Sequence, residues 1–197
     1  MRLSSQPSVA DSLSTLVADE GSALTLRDGA RVAVVGGGPA GSFFSFFRLK
    51  MAEAIDLELQ VDIHEPRSFK HCGPAGCNHC GGIVSESLVQ FLAAEGINLP
   101  PEVVQRGIES YVVHMDVGSV AIKSPSGEQR IAALYRGNGP REGADSPWDS
   151  FDGYLQGMAT ERGARVVRRL ITDVEWRDDR PSLIGADGES ETYDLVT

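Results

Sequence analysis

Residues 31–41 constrain this chain more than any other stretch. The strand-forming run Val32-Ala33-Val34-Val35 leads into Gly36-Gly37-Gly38-Pro39-Ala40-Gly41. Gly36, Gly38 and Gly41 meet the spacing Gly-x-Gly-x-x-Gly. A helical pattern follows to about Ala54, and a second apolar strand, Leu57–His64, ends at Glu65. This order predicts a βαβ unit. Gly36 permits the tight turn, Gly38 lets backbone N–H groups approach a phosphate, and Gly41 lets helix and strand pack closely. The N–H groups of Gly37 to Gly41, at the positive end of the helix dipole, then form a cradle for a pyrophosphate. Glu65 is placed to accept hydrogen bonds from ribose hydroxyls. It lies 24 positions beyond Gly41, against a usual spacing of about 20. Residues 50–56 can absorb the excess as an extended helix end. Strand, glycine turn, helix, strand and terminal acid together predict a dinucleotide-binding unit.

Composition narrows the partners. A chain of 197 residues, 41% of them hydrophobic, can bury a real core. The net charge of −10 argues against a nucleic-acid surface, which needs clustered cations. No apolar run reaches the roughly 20 residues of a membrane span. Residues 1–30 are Ser-rich and polar and read as a flexible or loosely docked extension, not a secretory signal. Three cysteines in one cluster do not make a disulfide framework, so a reducing, cytoplasmic setting is expected.

Further elements are predicted along the chain. The helix from Pro39 carries Phe43, Phe44, Phe46 and Phe47 on more than one face, so it should be buried on both sides. Residues 66–82 read as a loop. Ser85 should cap a helix over Glu86–Ala94, and a short helix is expected over Glu102–Arg106. Strands are predicted over Ser110–Met115, Ser119–Lys123 and Arg130–Tyr135, the first two joined by a tight hairpin. Gly137–Pro147 is a loop. Ser150 should cap a helix over Phe151–Arg162, ending at Gly163. Strands over Ala164–Val167, Ile171–Trp176, Ser182–Ile184 and Thr192–Thr197 complete the pattern. The last reads as a buried strand that stops in mid-element. It suggests a truncated sequence with an exposed edge, prone to aggregate or to need a partner.

From Arg31 onward the chain resembles the N-terminal half of FAD-dependent oxidoreductases of the geranylgeranyl-reductase type, within the p-hydroxybenzoate hydroxylase fold. The resemblance rests on Val34–Gly41 with Glu65, on Cys80-Gly81-Gly82-Ile83, on Ser150-Phe151-Asp152 with Gly163-Ala164, and on Arg168–Trp176. It implies an α/β, Rossmann-like FAD/NAD(P)-binding domain over 31–197, incomplete at its C-terminal end, with a small additional β segment. It implies FAD as cofactor, with NAD(P)H as an electron donor. Gly81 and Gly82 would lie near the flavin with Cys80 facing it, and the backbone of Ile171 would contact the adenine. The implied reaction is hydride transfer to a carbon–carbon double bond of a hydrophobic, isoprenoid-like substrate, with room for peripheral membrane contact. A partner chain would supply the missing C-terminal half. A monooxygenase of the same fold, a non-catalytic nucleotide- or metal-binding fragment and an NAD-binding dehydrogenase domain are the alternatives.

Cys72, Cys77 and Cys80 have the spacing C-x4-C-x2-C, and no fourth cysteine exists. Three readings stay open: a redox or substrate-facing thiol at Cys80, a metal site completed by His71 or His79, and incidental thiols in a glycine loop. No metal is assigned. Arg136 reads either as a cofactor contact or, on general grounds, as a solvated cation. His64 and His114 read as strand histidines, and Asp178-Asp179-Arg180 as a solvated turn.

Overall fold

A computed structural model of the chain describes residues 25–70, 82–123, 131–137 and 149–197. The extension up to residue 24, Cys72, Cys77, Cys80, Gly81, His71 and His79 lie outside the described residues.

The βαβ unit forms as the sequence predicts. Strand β1 (Ala30–Val35) leads into helix α1 (Pro39–Ala54), which returns to β2 (Leu59–His64). The two strands pair in parallel from Ala30↔Leu59 to Val35↔His64. Strand β8 (Arg165–Val167) adds beside β2, and β12 (Leu195–Val196) adds beside β1, giving the parallel order β12-β1-β2-β8.

The period-2 alternation of the strands sends side chains to two faces. Val32, Val34, Val61 and Ile63 point to the helical side and pack against Phe46 and Leu49 of α1. Phe43 and Phe47 carry the packing outward. Phe47 meets Phe91 of α2 (Glu86–Ala94), and Phe43 meets Phe151 at the start of α3 (Phe151–Glu161). The aromatic helix is thus covered on more than one side, as its phenylalanines require. The opposite face of the sheet carries an antiparallel meander of β9 (Ile171–Arg177), β10 (Arg180–Gly185) and β11 (Ser190–Thr192). Ala33, Leu183 and Tyr193 form a small core between the two layers.

A second sheet, β3-β7-β4, consists of Ile83–Val84, Ile131–Leu134 and Val104–Ile108. It packs through Val103 and Leu134 onto Phe151 and Leu155 of α3. Strands β5 (Ser110–Met115) and β6 (Gly118–Lys123) make the expected hairpin, and each of their residues but Ser110 is exposed.

Three expectations are corrected. The segment 102–106 is no helix. Pro100 O accepts from the N–H groups of Val103 and Val104 in a single turn, and the chain then enters β4, where its backbone groups pair with β7. The single strand over 192–197 is two strands in two sheets. Thr192 ends the meander, Tyr193 turns inward, and Leu195–Val196 joins β1. Ser150 stands at the N-cap of α3 but its hydroxyl makes no capping bond, whereas Ser85 does accept from the Leu88 N–H.

Candidate nucleotide-binding turn

The β1–α1 turn explains its own glycines. A Cβ on Gly41 would lie 1.9 Å from the Gly36 carbonyl oxygen and 2.9 Å from Cγ1 of Val34. Only glycine lets the helix cross the turn at that distance. Gly36 holds φ +105°, a left-handed conformation that glycine adopts without penalty. Its N–H donates to His64 O at 2.9 Å, which ties the turn to the end of β2. The first helical bond runs from the Ser42 N–H to Gly38 O. The N–H groups of Gly38, Ala40 and Gly41 therefore precede the intrahelical ladder and face outward from the helix start. Pro39 has no N–H and occupies the first helical position. No acidic side chain lies in that first turn to compete for the dipole.

Glu65 lies directly beneath. It is buried, and its Oε2 accepts the Gly37 N–H at 2.9 Å. Arg67 supplies the rest of its partners. The Arg67 backbone N–H and Nε both reach Oε1 at 3.0 Å, and its NH2 group reaches Oε2 at 3.3 Å. Burial alone would raise the Glu65 pKa. The bonds from the Arg67 side chain and from the N–H groups of Arg67 and Gly37 outweigh it, and the carboxyl stays below its ordinary range.

Sequence reasoning missed the next layer. Gln156 of α3 is 5% exposed, and its Oε1 accepts from Arg168 at 2.9 Å. Arg168 also donates to the carbonyls of Glu65 and Arg67. That bond fixes the amide so that Nε2 turns toward Gly37, and Nε2 has no partner among the described residues. A Cβ on Gly37 would lie 2.3 Å from it. Gln156 and Glu65, whose Cβ would lie 2.7 Å away, together leave no room for a side chain at position 37. A glutamine inside an amphipathic helix has no local signature, so only the approach of α3 to the turn reveals it.

Arg136 is no solvated cation. Its Nε and NH2 groups both reach the carboxylate of Asp152 at 2.8 Å, and Asp152 is buried. One Asp152 oxygen is the nearest atom to a Cβ on Gly38, at 3.8 Å. The pair therefore stands beside the third glycine of the turn. Gly82 has φ +68° and crosses β7 so closely that a Cβ would lie 1.9 Å from Leu134 O. Ile171 opens β9, and its side chain packs on the Ala33–Leu183–Tyr193 core. His114 is exposed and bonded to Ser119.

A cradle of free N–H groups, a close-packed glycine crossing, a buried carboxylate at the strand end and an orphaned buried amide suit a nucleotide diphosphate with its ribose. Comparison with known proteins finds similarity at the level of fold. Halogenase PltM is similar at a TM-score of 0.53 and 14% identity, over 86% of this chain and 34% of that one. Flavin-dependent brominase Bmp2 gives 0.51 and 15%, over 85% and 36%. Peptidyl tryptophan dihydroxylase QhpG, described as essential for tryptophylquinone cofactor biogenesis, gives 0.50 and 18%, over 85% and 31%. At these identities the likeness is one of fold: the chain shares the α/β fold of the corresponding part of these structures. The chain spans about a third of the length of these structures. No family model and no curated protein matches the sequence. Among the described residues no helix is long and apolar enough to cross a membrane.

Proposed function

We propose that this chain forms the FAD-binding portion of a flavin-dependent oxidoreductase. The observation that carries the reading is the Gly37–Glu65 bond at the start of α1, which ties the carboxylate that would accept ribose hydroxyls to the turn that would hold a diphosphate. The backbone N–H groups of Gly38, Ala40 and Gly41 would hold the diphosphate, and Glu65 the ribose. The Arg136 guanidinium, oriented by Asp152, would offset phosphate charge. Ile171 would meet the adenine through its backbone. Gly81, Gly82 and Cys80 would lie toward the flavin. FAD, when bound, supplies the two-electron chemistry. The protein's part is to bind, orient and exclude water.

The resemblance to geranylgeranyl-reductase-type proteins supports hydride transfer to a carbon–carbon double bond of a hydrophobic substrate, with NAD(P)H as donor. A second reading, oxygen-dependent hydroxylation or halogenation, draws equal support from the fold shared with PltM, Bmp2 and QhpG. Either activity would need the polypeptide that makes up the rest of such enzymes, in the same chain or a partner.

The test is to load this chain, together with the polypeptide that makes up the rest of the enzyme, with FAD, remove the excess, and add NADH or NADPH without air. Loss of the visible flavin absorption is expected. A reduced flavin that the isoprenoid alkene leaves bleached, and that recovers in air without forming an oxidised organic product, would argue against both readings. Recovery driven by the alkene supports the reductase, and fast recovery in air with an oxidised product supports the oxygenase.

A further inference from the structure

The Glu65 carboxylate has no acceptor capacity left. A carboxylate offers about four lone-pair sites. Four donors fill them: the Gly37 N–H, the Arg67 N–H, and the Nε and NH2 groups of Arg67. Two of these are backbone groups fixed by the turn and by the strand end. The other two belong to one side chain, which is 43% exposed. The guanidinium is held in place from the far side by the Phe69 ring, 5.0 Å from its carbon. Phe69 is buried and has φ +57°, so its position is set by the local fold.

We propose that Arg67 guards the ribose site, occupying the two acceptor positions that a cis-diol needs and leaving only by exchange with it. This inference rests on the nucleotide reading above and adds to it a residue that competes with the ligand. A ribose bound at Glu65 must displace the Arg67 side chain while the two backbone bonds stay. The idle amide of Gln156 suits that exchange. Nε2 and the Glu65 Cβ lie 2.3 Å and 2.7 Å from the same point above Gly37, so a donor without a partner among the described residues stands beside the Glu65 side chain. The guard discriminates by chemistry. A ligand with a vicinal diol regains both hydrogen bonds at Glu65, while a ligand without hydroxyls has no means of opening it and binds through its phosphates alone.

The test uses the full chain, with ADP and 2′,3′-dideoxy-ADP as probes, titrated calorimetrically and by stopped-flow against Arg67→Met and Arg67→Lys. Because the Arg67 side chain is half exposed, its removal is worth about twofold to fivefold in affinity. Arg67→Met is expected to tighten ADP by that factor and to speed its association, with dideoxy-ADP unchanged and Arg67→Lys in between. Weaker ADP binding by Arg67→Met would overturn the proposal and make Arg67 a ligand contact. An equal change for both probes, or none, would overturn it as well. If the unaltered chain and both variants, all with ordinary melting curves, bind neither probe, the nucleotide reading itself fails.

Discussion

The two faces of β2 are built on different principles. On the helical side, Val61 and Ile63 lie among Val32, Val34, Phe46 and Leu49, and the contacts are apolar throughout. On the meander side, Asp62 and His64 enter a buried polar network. The Tyr193 hydroxyl lies 3.0 Å from His64 Nε2, 3.1 Å from Asp62 Oδ2 and 3.0 Å from Glu191 Oε2. Arg165 clasps Asp62 with two bonds of 2.8 and 2.7 Å, and Arg31 bridges Glu191 and Asp62 at 3.1 and 3.5 Å. The apolar face needs only hydrophobic residues of the right size. The polar face needs each partner in place, because a buried group left without one costs more than the bond gains. The strand that carries Glu65 is thus held by bulk on one side and by named partners on the other.

The largest effect is expected on the helical side, at the turn. Gly41→Ala forces Cβ into the Gly36 carbonyl and Val34, and should cost about 3 kcal/mol or more. Denaturant unfolding would show it, and a loss under 1 kcal/mol would mean that α1 can shift away from the turn. Ile63→Ala leaves a cavity in the same layer and should cost about 3 kcal/mol, whereas Ile63→Val should cost about 1. Comparable losses for the two would deny that this face works by bulk.

Across the sheet, Tyr193→Phe keeps the ring and removes the shared hydroxyl. It should cost about 2 kcal/mol, although it deletes a single atom. A neutral Tyr193→Phe would show that the network adds nothing to the apolar core beside it. The two faces should also part company in acid. Burial holds the His64 pKa below its ordinary 6.5, despite Asp62 and Glu191. Burial acts to raise Asp62 and Glu191, but Arg165, Tyr193 and Arg31 hold Asp62 low, and Tyr193, Arg31 and Arg169 hold Glu191 low. All three groups therefore bind protons more readily unfolded. Their contribution is complete above about pH 6.5. It falls first through His64 as the pH drops below that value, then through the two carboxylates below their ordinary range. Melting curves from pH 8 to 4 should show this decline, and His64→Gln should remove its upper limb. An unchanged limb in that variant would assign the sensitivity elsewhere.

What the sequence disclosed follows the same division. The apolar face is a local pattern: β1, α1, β2, the glycine turn and Glu65 are all read from periodicity and spacing. Nothing local marks Asp62 and His64 as members of a buried polar network, because their partner Tyr193 lies about 130 residues away. The solvated-cation reading of Arg136 fails for the same reason: Asp152 is brought to it only when α3 packs against α1. Thr192–Thr197 has one continuous strand pattern, and nothing local marks the place where Tyr193 leaves one sheet for another. The segment after Pro101 could begin a helix by propensity. Pairing with β7 decides otherwise, and that pairing is not written in residues 102–106.

The most direct test of the central claim is retention of FAD by the purified chain through desalting, compared with Glu65→Leu. The account predicts a yellow protein with flavin absorption in stoichiometric amount, displaced by excess ADP, and a variant that folds but loses the flavin. An unaltered chain that keeps no FAD and shows no ADP-dependent rise in melting temperature would contradict it.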